Sequence, residues 1–311
     1  MEAAGEPVRL DGRVIVVTGA GAGLGASYAR GLAERGAAVV VNDIGRDAGG
    51  WTADQLAARI REDGGRAVAD RHTGATPDGA AAIVDAAMDA FGGLDGVVAN
   101  AGIVRRGGID ELSVADVRDV LTVNLEGALW LTRAAFPVLR ERGSGRIVLV
   151  TSSAGIYGHG LGANYCASKG GVAGLLRALA VEGAPHGIRT NAVSPFASTP
   201  MTSTTPGRVA VDAARLDPAY VAPVVVYLAS AACSVNGQVL TAAGGTVAHT
   251  FSVTTQGWRV PPGGAVTAEG VRDNLDRILD PVGAVRPVDV QSEKRHLLDG
   301  PVPVPTERTT S

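Results

Sequence analysis

A β-branched apolar run followed directly by a glycine loop is the feature that most restricts how this chain folds. The run RVIVVT at 13–18 predicts a buried β-strand, and the pattern after the loop predicts an α-helix. The loop, TGAGAGLG at 18–25, places Gly19, Gly23 and Gly25 at the spacing TGxxxGxG. Glycines at these positions permit a tight turn and let the amides of a helix N-terminus approach a pyrophosphate. The sequence therefore predicts an α/β fold that begins with a dinucleotide-binding loop.

Strand and helix patterns continue to alternate along the chain. Strand patterns follow at 37–43, 66–70, 94–100, 145–151, 188–194 and 237–241. Helical patterns lie at about 51–63, 77–91, 113–142 and 218–230, and a further helical pattern carries Tyr165 and Lys169 and ends near 183. This alternation predicts a single doubly wound, Rossmann-type parallel sheet of about seven strands with helices on both faces. We assign 1–245 to this domain. Residues 246–311 form a C-terminal extension, partly irregular, with one helix predicted at 267–279 and a disordered end.

Three polar side chains are predicted to converge where the fifth strand pattern ends. Tyr165 and Lys169 are four residues apart, which places both on one face of a helix, and Ser152 follows the apolar run 145–151. The ammonium of Lys169 favours the phenolate form of Tyr165 and is expected to lower its pKa. The only other lysine of the chain is Lys294, so ordinary surface charge explains Lys169 poorly. Together, Ser152, Tyr165 and Lys169 predict a general acid/base site that acts on a secondary alcohol or a ketone. The alternative is that Tyr165 and Lys169 lie on an ordinary amphipathic helix with the lysine in solvent.

The second strand pattern ends on an acid, Asp43. A carboxylate at the end of this strand is expected to hydrogen-bond the ribose hydroxyls of an adenosine and to repel a 2′-phosphate. This favours NAD over NADP as the cofactor, although Arg46 nearby could soften the repulsion. The alternative is that Asp43 only caps the loop.

Two further segments are candidates for the same site. Asn100, Ala101 and Gly102 follow the fourth strand pattern, and their small side chains would let the backbone pass close to a cofactor. Asn124 lies inside the helical stretch 113–142, where asparagine is unfavourable. It predicts either a local distortion that frees a carbonyl group for a water molecule, or an asparagine that faces the surface or a neighbouring helix.

Composition excludes several other classes of protein. The net charge of −3, with no basic stripe, argues against a nucleic-acid partner. Two cysteines and scattered histidines give no disulfide framework and no metal site. No apolar run approaches 18 residues and the N-terminus has no apolar signal core, so we expect a cytoplasmic protein without a membrane span.

Residues 196–216 show no clear helical or strand periodicity and are predicted to form a mobile lid.

With these residues identified, the chain resembles the short-chain dehydrogenase/reductase family over about residues 10–245. The resemblance rests on the glycine loop, the NAG run at 100–102, Asn124, Ser152 and the pair formed by Tyr165 and Lys169. It implies that Tyr165 donates and accepts the proton, that Lys169 lowers its pKa and binds the nicotinamide ribose, that Ser152 polarises the substrate oxygen, and that Asn124 holds a water. The cofactor contacts that it implies are Gly19, Gly21, Gly23, Leu24, Gly25, Asp43, Asn100, Ala101, Gly102, Tyr165, Lys169, Pro195 and Thr199. Homodimers or homotetramers are expected by the same resemblance.

Within that family the chain is similar to the (3R)-hydroxyacyl-CoA dehydrogenases. This similarity rests on the runs VVVNDIG at 39–45, AGIYG at 154–158, PFASTPMT at 195–202 and DPAYVAPVVVYL at 217–228. One departure is Phe196, which stands where the family usually has a glycine and is expected to narrow the pocket.

The leading hypothesis is an NAD-dependent oxidoreductase that interconverts a secondary alcohol and a ketone by hydride transfer. Candidate substrates are a 3-hydroxyacyl thioester and a polyketide-like or terpenoid intermediate. The alternatives are a non-redox lyase or isomerase that keeps the cofactor, and a cofactor-binding sensor or scaffold. The complete set of Ser152, Asn124, Tyr165 and Lys169 argues against a site that has lost its chemistry.

Overall fold

The computed structural model describes residues 6–45, 52–198, 213–261 and 263–299. It divides the chain into two compact units, Met1–Thr250 and Phe251–Ser311. The first unit contains an eight-stranded sheet in the order β3-β2-β1-β4-β5-β6-β7-β8. Its strands are β1 (Val14–Thr18), β2 (Ala38–Asn42), β3 (Arg66–Asp70), β4 (Gly96–Ala99), β5 (Gly145–Val150), β6 (Ile188–Phe196), β7 (Val239–Ala243) and β8 (Thr246–Thr250).

The first seven strands are parallel, which confirms the predicted sheet, and the eighth was not predicted. β8 pairs antiparallel with β7, and Thr246 lies opposite Ala243. The residues of β8 are exposed or half-buried, so this strand lacks the apolar pattern by which the other strands are recognised. The predicted end of the domain at 245 therefore falls between two paired strands.

Helices cover both faces of this sheet, as predicted. They are α1 (Gly23–Glu34), α2 (Ala53–Glu62), α3 (Pro77–Phe91), α4 (Val114–Leu121), α5 (Gly127–Glu141), α6 (Ser153–Tyr157), α7 (Ala163–Gly183) and α8 (Ala222–Ala229). Alternate residues of β1 enter two separate cores because successive side chains of a strand point to opposite faces. Ile15 packs in the core shared with α1, α2 and α8, and Val16 packs in the core shared with α3, α5 and α7.

The long helical stretch predicted at 113–142 is interrupted where Asn124 lies. α4 passes into α5 through a π-helical turn, Thr122–Glu126. A π-turn inserts an extra residue and changes the direction of the side chains that follow. The predicted local distortion at Asn124 is therefore confirmed, and the alternative that Asn124 faces a neighbouring helix holds as well, since its Nδ2 donates to Ser168 Oγ of α7 at 3.2 Å.

The described residues of the second unit form three short helices, α9 (Ala268–Asp273), α10 (Leu275–Leu279) and α11 (Val290–Asp299). The prediction of one continuous helix at 267–279 is wrong. Asn274 has a non-helical backbone, with φ of −115°, and separates α9 from α10. α11 was not predicted, since its sequence VQSEKRHLLD is mostly polar. The predicted disordered end at 300–311 and most of the predicted lid, 199–212, lie outside the described residues.

Asp95 joins the first strand to the layer of helices and is expected to be important for stability. Its buried carboxylate accepts a hydrogen bond from Val14 N at 2.8 Å and pairs with Arg142 at 2.8 Å. Asp95→Ala leaves the buried Val14 amide without an acceptor, so the free energy of unfolding should fall by about 2 kcal/mol. Asp89→Ala, at an exposed position of α3, should change it by less than about 0.5 kcal/mol. Urea unfolding of both variants measures the difference, and equal losses would contradict this role for Asp95.

Candidate active site

One cavity of about 490 Å³ lies at the carboxyl ends of the central strands. Such crevices are where ligands bind in doubly wound sheets. It brings together most of the residues predicted for the site: Gly19, Gly23, Leu24, Gly25, Asp43, Asn100, Ala101, Gly102, Ser152, Tyr165, Lys169 and Pro195. Gly21 and Asn124 do not line the cavity but contact residues around it, and Thr199 lies outside the described residues.

The glycine loop has a backbone that larger residues would not adopt. Gly19 and Gly23 have φ of +62° and +52°, in the left-handed region. At Gly25 an added Cβ would lie 2.1 Å from Gly19 O and 2.6 Å from Asn100 Nδ2. The loop therefore packs closely on itself and on Asn100 where it passes into α1, an arrangement that fits a loop for a dinucleotide pyrophosphate.

Asn100 fastens this loop to the end of β4. Its Nδ2 donates to Thr18 O and to Gly19 O, both at 3.0 Å. The backbone amides of Asn100 and Ala101 donate to Thr18 Oγ1 at 3.1 and 3.2 Å. The positioning role of Thr18 was not predicted, because the partners of its hydroxyl are about 80 residues away in the sequence.

The carboxylate of Asp43 is held by two backbone amides at the edge of the cavity. Oδ2 accepts a hydrogen bond from Gly21 N and Oδ1 accepts one from Gly45 N, each at 2.9 Å. These bonds correspond to the alternative in which Asp43 caps the loop. Each carboxylate oxygen has a further lone pair, so these bonds leave capacity for ribose hydroxyls.

Lys169 is buried against the end of β5. Its side chain is enclosed, and Nζ donates to Val150 O at 2.7 Å. Thr151 Oγ1 donates to Lys169 O at 2.8 Å, so β5 holds both the side chain and the backbone of this residue. Burial disfavours the charged amine and lowers the pKa of Lys169 from 10.5 to about 8.

Tyr165 and Ser152 both line the cavity. Burial raises the pKa of the Tyr165 phenol, and the hydrogen bond to Ser152 and the charge of Arg106 lower it by less. The pKa direction predicted from sequence for Tyr165 is therefore wrong for this structure. Lys169 Nζ lies 6.0 Å from the centre of the Tyr165 ring. Ser152 also caps α6 by accepting a hydrogen bond from Ala154 N at 3.2 Å.

Asn124 fixes the segment that follows β4. Its Oδ1 accepts from Ile103 N at 2.7 Å, and its Nδ2 donates to Ile103 O at 2.9 Å and to Ser168 Oγ at 3.2 Å. Gly102 is adjacent, and an added Cβ there would lie 3.2 Å from Asn124 Oδ1. Asn124 thus links the π-helical turn, the β4 loop and α7 behind the cavity.

Tyr157, Leu161 and Arg106 line the cavity but were not predicted from sequence as part of the site, whereas Phe196, which was expected at the pocket, lines it as well. Tyr157, Leu161 and Phe196 present exposed apolar side chains to the cavity. The sequence offers only the glycine-rich run around Leu161 as a signal, and such a run does not say which side chains face a pocket.

No group of residues suited to a metal ion occurs in the described part of the chain. In the same part, no helix combines the length and the apolar character needed to cross a membrane.

A glycine loop at a helix start, joined to a Ser-Tyr-Lys group in one cavity, defines a nicotinamide-dependent α/β oxidoreductase site. The family model described as short chain dehydrogenase matches residues 13–208. The chain therefore belongs to the short-chain dehydrogenase family, whose members bind a nicotinamide cofactor, and it is an oxidoreductase.

Known proteins similar to this chain agree with that family. A protein of Mycobacterium tuberculosis named as a short-chain type dehydrogenase/reductase is 47% identical over 240 residues, which are 76% of this chain and 83% of that protein. Peroxisomal multifunctional enzyme type 2 of Mus musculus is 40% identical over 291 residues, 92% of this chain but 39% of the mouse enzyme. The crystal structure of a short chain dehydrogenase from Mycobacterium avium superimposes with a TM-score of 0.77 at 35% identity, covering 88% of this chain and 97% of that one.

Substitution of Gly25 tests the role of the glycine loop in cofactor binding. Gly25→Ala introduces a methyl group against Gly19 O, so the affinity for NADH should fall by about 10- to 100-fold. Gly174→Ala is the control, because an added Cβ at this helical position meets nothing within 4 Å. It should leave NADH binding unchanged and raise the free energy of unfolding by about 0.5 to 1 kcal/mol. Fluorescence titration with NADH tests both variants, and wild-type affinity in Gly25→Ala would contradict the proposed approach of the pyrophosphate.

The buried amine of Lys169 should make the stability of the protein depend on pH. Because its pKa in the folded chain, about 8, is below 10.5, the unfolded chain binds an additional proton between these pH values. The free energy of unfolding should therefore rise with pH in this window, by about 3 kcal/mol in total. Below pH 8 both states hold the proton, and the cost of burying the charge is present in full.

Denaturant unfolding between pH 7 and 10.5 measures this rise. It should be absent in Lys169→Met and retained in Lys294→Met, which removes the other, exposed lysine of the chain. The same pH dependence in the wild type and in Lys169→Met would show that burial of this amine is not its cause.

Proposed function

We propose that this chain is an NAD-dependent dehydrogenase/reductase that interconverts a secondary alcohol and a ketone, with Tyr165 as the general acid/base. The observation that carries the proposal is that Ser152, Tyr165 and Lys169 line the same cavity as the glycine loop. A substrate oxygen beside the hydroxyl groups of Ser152 and Tyr165 would receive one hydrogen bond from each.

In the direction of alcohol oxidation, Tyr165 takes the proton of the substrate hydroxyl. Ser152 donates a hydrogen bond to the same oxygen and stabilises the charge that develops on it. Lys169, whose Nζ lies 6.0 Å from the centre of the Tyr165 ring, would favour the phenolate when it carries its proton. Asn124 keeps the Ile103 backbone and Ser168 in place behind this pair. In ketone reduction the same phenol returns the proton.

The cofactor would be held by residues of the glycine loop, by Asp43 and by the segment that follows β4. When bound, NAD supplies the acceptor or donor of the hydride. We favour NAD over NADP because the carboxylate of Asp43, fixed by Gly21 and Gly45, would repel a 2′-phosphate. Cytoplasmic location and assembly as a homodimer or homotetramer belong to the same proposal.

The test begins with NADH and NADPH titrations of the purified protein. We expect NADH to bind at least about tenfold more tightly, since the repulsion between Asp43 and a 2′-phosphate should exceed about 1.4 kcal/mol. Turnover of a panel of secondary alcohols with NAD is then measured at the NADH absorbance. Tyr165→Phe should abolish turnover and leave NADH affinity within about twofold, because it removes only the ionisable oxygen.

Tyr157→Phe is the matched control, because it deletes a phenolic oxygen from an exposed residue at the same cavity. It should retain turnover. Activity that survives in Tyr165→Phe would contradict the role of Tyr165, and a preference for NADPH would contradict the role of Asp43. A protein that binds neither nucleotide would overturn the proposed function as a whole.

A further inference from the structure

Thr151 is a polar residue at the buried end of β5. It is 1% exposed, and the residues before it, 147–150, are apolar and buried. A buried hydroxyl group is unfavourable unless it is bonded, and a valine would continue the apolar run without that requirement. The backbone amide of Thr151 donates to Val193 O at 2.9 Å, which fixes the residue to the neighbouring strand β6. Thr151 is therefore held firmly by the sheet, and its hydroxyl group requires a partner.

The partner of this hydroxyl group is the backbone of Lys169 in α7. Thr151 Oγ1 donates to Lys169 O at 2.8 Å, and the two residues are 18 positions apart in the sequence. The preceding residue of the strand, Val150, accepts a hydrogen bond from Lys169 Nζ at its carbonyl oxygen, at 2.7 Å. Two consecutive residues therefore bind the two ends of Lys169, Val150 at the amine and Thr151 at the backbone.

The two hydrogen bonds together restrict where the amine of Lys169 can lie. A lysine has a long and flexible side chain, so a bond at Nζ alone would leave the backbone of this turn able to shift along the strand. The bond from Thr151 fixes that backbone. Gly155 allows the close contact, because an added Cβ there would lie 2.5 Å from the carbonyl carbon of Lys169. With both ends held, Lys169 Nζ lies 6.0 Å from the centre of the Tyr165 ring.

Thr132 shows the ordinary role of a buried threonine in the same chain. It is also 1% exposed, and its hydroxyl group contacts two carbonyl oxygens of its own helix α5, Ala128 O at 2.9 Å and Leu129 O at 3.0 Å. A bond of this local kind satisfies the hydroxyl group without joining two elements. The bond from Thr151 differs, since it joins a strand to a helix at the residue whose amine belongs to the candidate active site.

We propose that Thr151 is a positioning residue, whose hydroxyl group holds the backbone of Lys169 on the end of β5 and thereby sets the place of the amine beside Tyr165. The inference rests on the proposed function, in which Lys169 acts on Tyr165. Thr151 lines the cavity, but it is almost fully buried and its hydroxyl group is bonded to Lys169 O. It therefore acts through Lys169, and loss of the hydroxyl group should weaken catalysis more than substrate binding.

The first measurement does not depend on turnover, because the sequence contains two lysines, Lys169 and Lys294. Lys294 is exposed and Lys169 is enclosed, so acetylation by an N-hydroxysuccinimide ester, followed for each lysine by mass spectrometry, has an internal reference. Thr151→Val removes the hydroxyl group and nearly keeps the shape of the side chain. It should raise the acetylation rate of Lys169 relative to Lys294 by about tenfold. Thr151→Ser keeps the hydroxyl group and should stay within about twofold of the wild type.

Thr132→Val is the matched control. It removes a buried hydroxyl group of equal exposure at a position that does not line the cavity. Urea unfolding should show comparable losses of stability in Thr132→Val and Thr151→Val, whereas Thr132→Val should leave the acetylation of Lys169 unchanged. An equal increase of acetylation in both variants would show that a general loss of stability exposes the lysine, and it would overturn the inference.

Turnover of an alcohol from the panel tests the consequence for catalysis. Thr151→Val should lower kcat by about 10- to 30-fold and leave KM for the alcohol within about twofold. Thr151→Ser should restore kcat to within about threefold of the wild type, because it restores the donor. A displaced ammonium favours the phenolate of Tyr165 less, so the pH at which alcohol oxidation reaches half of its maximal rate should rise in Thr151→Val.

Acetylation of Lys169 at the wild-type rate in Thr151→Val would overturn the inference, and so would a loss of kcat that Thr151→Ser does not restore. These outcomes differ from failure of the proposed function, which would appear in the wild type as an absence of nucleotide binding or of activity dependent on Tyr165. If the wild type has no turnover, the acetylation rates still decide whether Thr151 holds Lys169 in place.

Discussion

The burial of the Lys169 amine is the constraint on which the candidate active site depends. An ammonium removed from water is unfavourable unless it is bonded, and the bond to Val150 O supplies a partner at the end of β5. The turn of α7 that carries Lys169 must therefore lie directly against this strand. Gly155 permits this, since an added Cβ there would lie 2.5 Å from the carbonyl carbon of Lys169. α6, which begins after Ser152, can then pack against α7 and place the Ser152 hydroxyl beside Tyr165.

The parallel sheet supplies the rest of the site, because the carboxyl ends of its strands meet at one edge. β1 leads into the glycine loop, β4 into Asn100, and β5 into Ser152. Residues about 80 positions apart in the chain become neighbours there, as the hydrogen bonds from Asn100 to Thr18 and Gly19 illustrate. A change in the register of β4 against β1 would move Asn100 away from the loop. The pairing of Val98 with Val17 therefore also sets the geometry of the cavity.

Sequence patterns predicted the parallel strands, the helices of the first unit and most of the residues that meet in the cavity. These features depend on local periodicity and on short motifs. They failed where tertiary surroundings decide. β8 has no buried face, and α11 has few apolar residues, so neither has the usual pattern. The pKa of Tyr165 was predicted from its spacing to Lys169, but its direction depends on how deeply both groups are buried. The exposure of Tyr157 and the position of Arg106 at the cavity likewise follow from the folded loop around Leu161.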